Sequence, residues 1–366
     1  MDNKIALIAL NLIPEIRSVY GKRVLELKNA TEIFSMSTEE LVFFLRCKEE
    51  IAIKIRNGDW LEKADKEIKQ AKLIDAVIIT YDDKIYPEVL KKINQPPLVL
   101  YFRGNLMSNE EVCLAVVGTR YATTYGMNTT ERIVSELTQN GFTIVSGLAR
   151  GIDACAHNVC LKNGGRTIAV LGCGIDVDYP IENAFLREEI SKKGALLTEY
   201  PLKTKPYKNN FPLRNRIISG LSIGVLIIEA SYKSGSLITT RYGLEQGKDV
   251  FAIPGSIFSS QSIGTNYLIK TGQAKLIQNV NDIIVEIPNY LIKSSKVKIE
   301  SPLIEVDEQE KKILQFIPFD EPIHIDDIVL LTGYNTAELL PKLLNLELKG
   351  AIAQTKGQCY CKKILI

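Results

Sequence analysis

Four things are scarce in this chain of 366 residues, and each scarcity removes a class of protein. Cysteine is sparse: seven residues, odd in number, scattered and without CxxC spacing, so neither a disulfide framework nor a zinc site is indicated. Long apolar runs are missing, so no segment is of bilayer-spanning length and no membrane role is expected. The opening run Ile5 to Ile13 is interrupted by Asn11 and stopped by Pro14, unlike a secretory signal, and a cytoplasmic location is expected. Net charge is only +2, so a polyanion would have to be held by a local patch rather than by bulk attraction.

Such a patch is present. Between Pro201 and Arg241 stand Lys203, Lys205, Lys208, Arg214, Arg216, Lys233 and Arg241, with Glu229 the sole carboxylate. Apolar residues make up 46% of the chain, enough for more than one core at this length.

The periodicity changes twice along the chain. Residues 1–72 read as a small helical domain, SAM-like in pattern, in which STEELVFFLRCKEEIAIKIRNG predicts one helix running from the capping-type Ser37 to near Gly58. From residue 73 to 290, the runs AVIIT, LVLYF, CLAVVG, FTIVSG, TIAVLG, ALLTEY, GVLIIEA and DVFAIPG alternate with helix-length segments. Runs apolar nearly throughout imply burial on both faces, hence an α/β domain with an extended Rossmann-like parallel sheet. A stretch rich in Lys, Ser, Glu and Pro follows, and residues 306–366 read as three helices and a strand pair, a winged-helix domain.

Ligands of open parallel sheets bind outside the carboxyl ends of the strands. Here those ends lead into TRYATTYG, LARGIDACAH, CGIDVDYP and SYKSGSLITTRYGLEQG, glycine-rich loops suited to an extended anion, with Gly118, Gly147 and the Lys233-Ser234-Gly235 turn as candidate contacts. Nucleotide motifs do not match. Gly172-Cys173-Gly174 lacks the third glycine of the dinucleotide fingerprint, and Gly243 to Asp249 has the wrong spacing for a phosphate loop, so no cofactor is expected. His157 follows Asp153 by four residues, which reads as a hydrogen-bonded structural pair.

The segment Asn209 to Ala230 places Phe211, Arg214, Asn215 and Arg216 just before the strand Val225 to Ile228. Read as a loop and first turn, it puts both arginines and the ring at the same rim as the glycine loops. Arginine offers a planar fork to phosphate, and phenylalanine a face for a base. Lys208 adds a second phosphate contact, and the whole describes a groove for single-stranded nucleic acid. The rival reading makes Phe211 a core plug and pairs one arginine with Glu229 or Glu199.

Seven ordered motifs resemble one family, DNA-processing protein A, also called Smf. They are VVGTRYATTYG, SGLARGIDACAH, GRTIAVLGCGIDVDYP, LLTEYP, FPLRNRIISGLS, VLIIEASYKSGSLITTRYGLEQGKDVFAIPGS and GTNYLIKTGQAKLI. The resemblance implies a protein without enzymatic activity that binds single-stranded DNA, forms a homodimer, and loads a RecA-type recombinase during natural transformation and DNA recombination. It also implies phosphate contacts at Arg120, Lys208, Arg214 and Arg216, with Phe211 as the aromatic. The family's dimer contact falls near Tyr267, Leu268, Ile269 and Leu276. Two alternatives stay open: a phosphoribohydrolase-like enzyme splitting an N-glycosidic bond with Glu229 or Glu245, and a regulator reading duplex DNA through the winged helix. The helix candidate for that task, NTAELLPKLLNLELKG, is acidic and leucine-rich rather than basic.

Overall fold

The computed structural model describes residues 2–106, 111–287, 306–319, 321–355 and 357–362. A nine-stranded sheet organises the molecule. Its strands are β1 Val77–Thr80, β2 Val99–Gly104, β3 Cys113–Val117, β4 Thr143–Ser146, β5 Thr167–Val170, β6 Ala195–Thr198, β7 Gly224–Ile227, β8 Asp249–Ala252 and β9 Lys275–Leu276. They lie in the order β1-β2-β6-β5-β4-β3-β7-β8-β9. From β6 to β9 every pairing is parallel, as the doubly buried runs predict. The edge departs from that expectation, because β2 runs antiparallel to both β1 and β6. Burial on both faces gives β2 the same apolar pattern as its parallel neighbours, so composition does not disclose its direction.

Chain order reverses beside β3. From there β4, β5 and β6 are added on one side, and β7, β8 and β9 on the other. All the loops leaving the carboxyl ends of β3 to β8 therefore emerge along one edge, the place where open α/β sheets bind ligands.

The N-terminal helices cover one face of the sheet. Apolar residues of Asn3–Asn11, Thr38–Leu45 and Trp60–Leu73 share a continuous cluster with Val99, Tyr101 and Leu196 of the sheet and with Leu202 beyond it. Ser37 and Glu40 close the capping box that the sequence announces, yet the single helix expected from Ser37 to Gly58 is two. Arg46 adopts a left-handed conformation, φ 51°, which ends Thr38–Leu45 before Glu49–Asn57 begins.

The C-terminal helices Glu308–Phe316, Ile325–Thr332 and Thr336–Leu348 pack with the small sheet β10 Ile323–His324, β12 Cys359–Lys362 and β11 Ile352–Thr355. This is a winged helix with its own core around Ile313, Leu339, Leu343 and Leu346. Its third helix turns Leu340, Leu344 and Leu348 outward, while Lys342 donates to Gln309 and Lys349 pairs with the buried Glu310.

Leu268 corrects the apolar patch read from sequence. It lies on the helix Ile263–Lys270 but points into the core against the sheet, 5% exposed, whereas Tyr267 and Leu276 are about half exposed and Ile269 is partly buried.

Candidate nucleic-acid interface

The segment carrying Phe211, Arg214, Asn215 and Arg216 is the helix Asn210–Leu221, where a loop was expected. That difference decides what each side chain does. Residues three and four apart share a helix face, and residues two apart do not. Phe211, Arg214 and Asn215 accordingly look one way and Arg216 the other.

Arg216 is removed from the cleft. Its guanidinium meets both oxygens of Glu199 at 2.6 and 2.7 Å and donates to the carbonyls of Gln95 and Leu213. Both partners are almost fully buried, so the phosphate contact assigned to Arg216 is replaced by a buried ion pair, the Glu199 pairing that the rival reading allowed.

Arg214 is also buried, at 4% exposure. It donates to the carbonyl oxygens of Gly147 and Val170, at the ends of β4 and β5, and its Nε donates to Asn215 Oδ1 at 3.1 Å. No carboxylate lies within ion-pair distance among the described residues; the nearest negative charge is Asp153, which accepts from Gly147 N at 3.2 Å. Burial pushes the Asp153 carboxyl up, and the Arg214 charge opposes that. His157 does not pair with Asp153 as expected. Its Nδ1 meets Thr167 Oγ1 at 2.6 Å, and full burial, aided by Arg214, lowers its pKa to about 3.

Phe211 stands half-buried above this framework. The Arg120 guanidinium lies 5.7 Å from its ring centre, that of Arg214 5.8 Å, and the Tyr179 ring 5.4 Å away at 40°. Arg120 is exposed and has no ion pair among the described residues. These groups line a cleft of about 130 Å³ together with Tyr121, Arg150 and Gly172.

The glycines have a different task from the one expected. A Cβ on Gly147 would sit 2.7 Å from Arg214 Nη2, and one on Gly172 2.7 Å from Phe211 Cδ1. Gly118 is closed off by Ile152 in the same way. Gly147 and Gly172 admit the protein's own arginine and aromatic ring, and Gly118 an isoleucine. Gly235 alone of the candidate glycines faces open space, at the start of Ser236–Glu245, with exposed Lys233 beside it and Ser234 Oγ bonded to Ser236 Oγ at 2.7 Å. Asn215 is buried and donates to Gly235 O at 3.3 Å, so it ties this turn to the Phe211 helix and does not face solvent. Lys208 is exposed just ahead of the same helix.

The two candidate catalytic carboxylates are elsewhere engaged. Glu229 is 1% exposed and accepts from Thr123 N and Thr123 Oγ1, capping the helix Thr124–Gln139. Glu245 is exposed and pairs with Arg241 on the helix Ser236–Glu245. Sequence reading also passed over Tyr121, Arg150 and Tyr179. Tyr121 adjoins Arg120, which the sequence does single out, and that cation-aromatic adjacency is the available signal. Arg150 is held by Glu182.

With this geometry, the match to known proteins is specific. The model of the family described as DNA recombination-mediator protein A covers residues 77–288, and that of the DprA winged helix domain covers 299–358. The chain belongs to the DNA recombination-mediator protein A family. It is 39% identical to Protein Smf of Synechocystis over 319 residues, 78% of this chain and 80% of that protein. To the DNA processing protein DprA of Streptococcus pneumoniae it is 45% identical over 204 residues, 56% of this chain and 72% of the other. The X-ray structure of the S. pneumoniae protein superposes with a TM-score of 0.68 at 35% identity, covering 79% of this chain and 99% of that one. A Helicobacter pylori member, solved for its single-stranded DNA binding mode, superposes with a TM-score of 0.52 at 33% identity over 57% of this chain and 94% of its own.

The Glu199–Arg216 pair should be structural. Glu199→Gln leaves a buried guanidinium without its counter-charge and should cost about 3–5 kcal/mol in denaturant unfolding, whereas Arg120→Ala should leave the midpoint in place. A Glu199→Gln protein as stable as the parent would show that the pair does not hold the helix.

His157 gives the fold an acid sensitivity. The unfolded chain binds a proton at this residue below about pH 6.5, which the folded protein refuses until about pH 3. Folding stability should therefore fall by about 1.4 kcal/mol per pH unit across that window from this group alone. His157→Gln should show a shallower loss between pH 6.5 and 4.5; an identical slope would remove His157 as the cause.

Proposed function

We propose that this protein binds single-stranded DNA along the carboxyl edge of its sheet and serves recombination, including natural transformation, by handing the strand to a RecA-type recombinase. It acts in the cytoplasm and carries out no covalent chemistry. The observation that carries the reading is Phe211, half-buried with two guanidiniums 5.7 and 5.8 Å from its ring centre, in a cleft also lined by Arg150. A base can stack on the ring, and Arg120, Lys208 and Lys233 stand free to meet the backbone phosphates. The single-strand binding mode reported for the H. pylori relative supports the same reading.

The alternatives lose their chemistry. A glycosidic hydrolase needs a carboxylate in the cleft, and Glu229 is committed to a helix cap while Glu245 is paired with Arg241. A duplex reader needs exposed polar and basic side chains on its recognition helix, and Thr336–Leu348 presents leucines.

Equilibrium binding should rank an oligothymidylate above duplex and above mononucleotide. Phe211→Ala should cost about 1–3 kcal/mol with an unchanged salt slope, because stacking releases no counterions, and Arg120→Ala should lower the slope by about 0.7. Equal affinity for duplex and single strand would overturn the reading.

The homodimer is assigned to the end of the sheet, where β9 is the last strand. There Tyr267, Leu276 and Ile263 expose about half of their surface beside a strand edge that is unpaired among the described residues. Linked grooves raise avidity for a long strand. Tyr267→Glu should sediment as a folded monomer that binds short oligonucleotides normally and long ones weakly. An intact dimer would place the contact elsewhere.

A further inference from the structure

Among the described residues, five tyrosines are classed with the exposed large side chains, and four of them lie in loops leaving the carboxyl ends of parallel strands. They are Tyr121 after β3, Tyr179 after β5, Tyr207 after β6 and Tyr232 after β7; the fifth, Tyr267, is on a helix. Single exposed aromatics scattered over a surface need no explanation. Four gathered on one edge do.

Three of the four have an exposed cation as immediate neighbour in the chain: Arg120-Tyr121, Tyr207-Lys208 and Tyr232-Lys233. Their side chains are 80%, 60% and 69% exposed, while the backbone beneath each is tied down. Tyr121 N donates to Thr119 Oγ1 at 3.1 Å, Tyr207 sits in a turn closed by Asn210 N to Tyr207 O at 3.0 Å, and Tyr232 in one closed by Ser234 N to Ser231 O at 3.0 Å. Fixed backbone under a free aromatic tip loses little order when a flat ligand settles on it.

We infer that these three tyrosine-cation couplets are successive nucleotide subsites, each tyrosine stacking a base while its neighbour meets the adjoining phosphate, with Phe211 as a further platform between the β6 and β3 loops. The inference rests on the single-strand reading and extends it. Strands β6, β5, β4, β3 and β7 are consecutive in the sheet. At about 4.8 Å between neighbours, four intervals carry the track about 19 Å across the edge, well beyond the cleft itself. Stacking on any base face carries no sequence code, so such a track would hold a strand of any sequence.

The test uses the full chain, an oligothymidylate of about 12 nucleotides, and the same strand with abasic sites. That length lies within the site sizes of general single-strand binders. Tyr121→Ala, Tyr207→Ala and Tyr232→Ala should each weaken binding of the intact strand by roughly 5- to 150-fold, with the salt slope unchanged, the melting temperature unchanged and little effect on the abasic strand. The Tyr→Phe versions should bind like the parent. If all three alanine proteins bind like the parent while Arg120→Ala still weakens binding, the track is refuted and the single-strand reading stands. Loss without rescue by phenylalanine would refute stacking in favour of hydroxyl contacts. A parent protein that does not prefer the single strand would overturn both.

Discussion

A buried guanidinium with no close carboxylate among the described residues holds the cleft together. Arg214 joins the helix Asn210–Leu221 to the carbonyl ends of β4 and β5, and its charge is met by peptide dipoles, with Asp153 farther off. An unpaired charge in the interior is costly, so it persists only where several hydrogen bonds are fixed around it. Here those bonds also set the position of Phe211, three residues earlier on the same helix face. The charge is buried 5.8 Å from the ring centre and contributes a positive field at the cleft that water screens poorly. Arg120, exposed and 5.7 Å from the same ring centre, keeps the solvent access that Arg214 lacks.

The glycine-rich loops follow from this arrangement. In dinucleotide folds such glycines let a pyrophosphate approach the backbone. In this chain Gly147 and Gly172 stand against Arg214 and Phe211, so side chains that make the edge cationic and aromatic pack on the loop backbone.

The parallel core, the loops at the strand ends and the winged helix were all legible in the sequence, because each rests on periodicity or on the order of short motifs. The roles of the two arginines were not. Arg214 and Arg216 differ by two positions, and only the helical state of Asn210–Leu221 sends one beneath the ring and the other to Glu199. A doubly buried strand hides its direction, which is why β2 read as parallel. Leu268 follows a surface tyrosine, and a stretch of eight residues reveals too little of its period to tell which side is covered. His157 was matched to Asp153 by spacing on one helix, whereas its partner Thr167 lies on the neighbouring strand.

The N-terminal helices, whose sequence suggests no nucleic-acid contact, are nonetheless joined to the helix Asn210–Leu221 by way of residues 199–202. Asn11 donates to Glu199 O at 3.1 Å, the Arg17 guanidinium lies 5.0 Å from the Tyr200 ring centre, and Glu67 accepts from Leu202 N at 2.7 Å. On its other side the same segment holds Arg216 through the Glu199 carboxylate and Asn210 through the Tyr200 hydroxyl. Close-packed, hydrogen-bonded elements transmit displacement instead of absorbing it. A displacement of the N-terminal helices relative to the sheet would therefore reach residues 199–202 and, through the Tyr200 hydroxyl, the start of the helix that presents Phe211. The N-terminal domain thus bears on the cleft by fixing the angle at which that helix meets the strand ends, without lending it a single side chain.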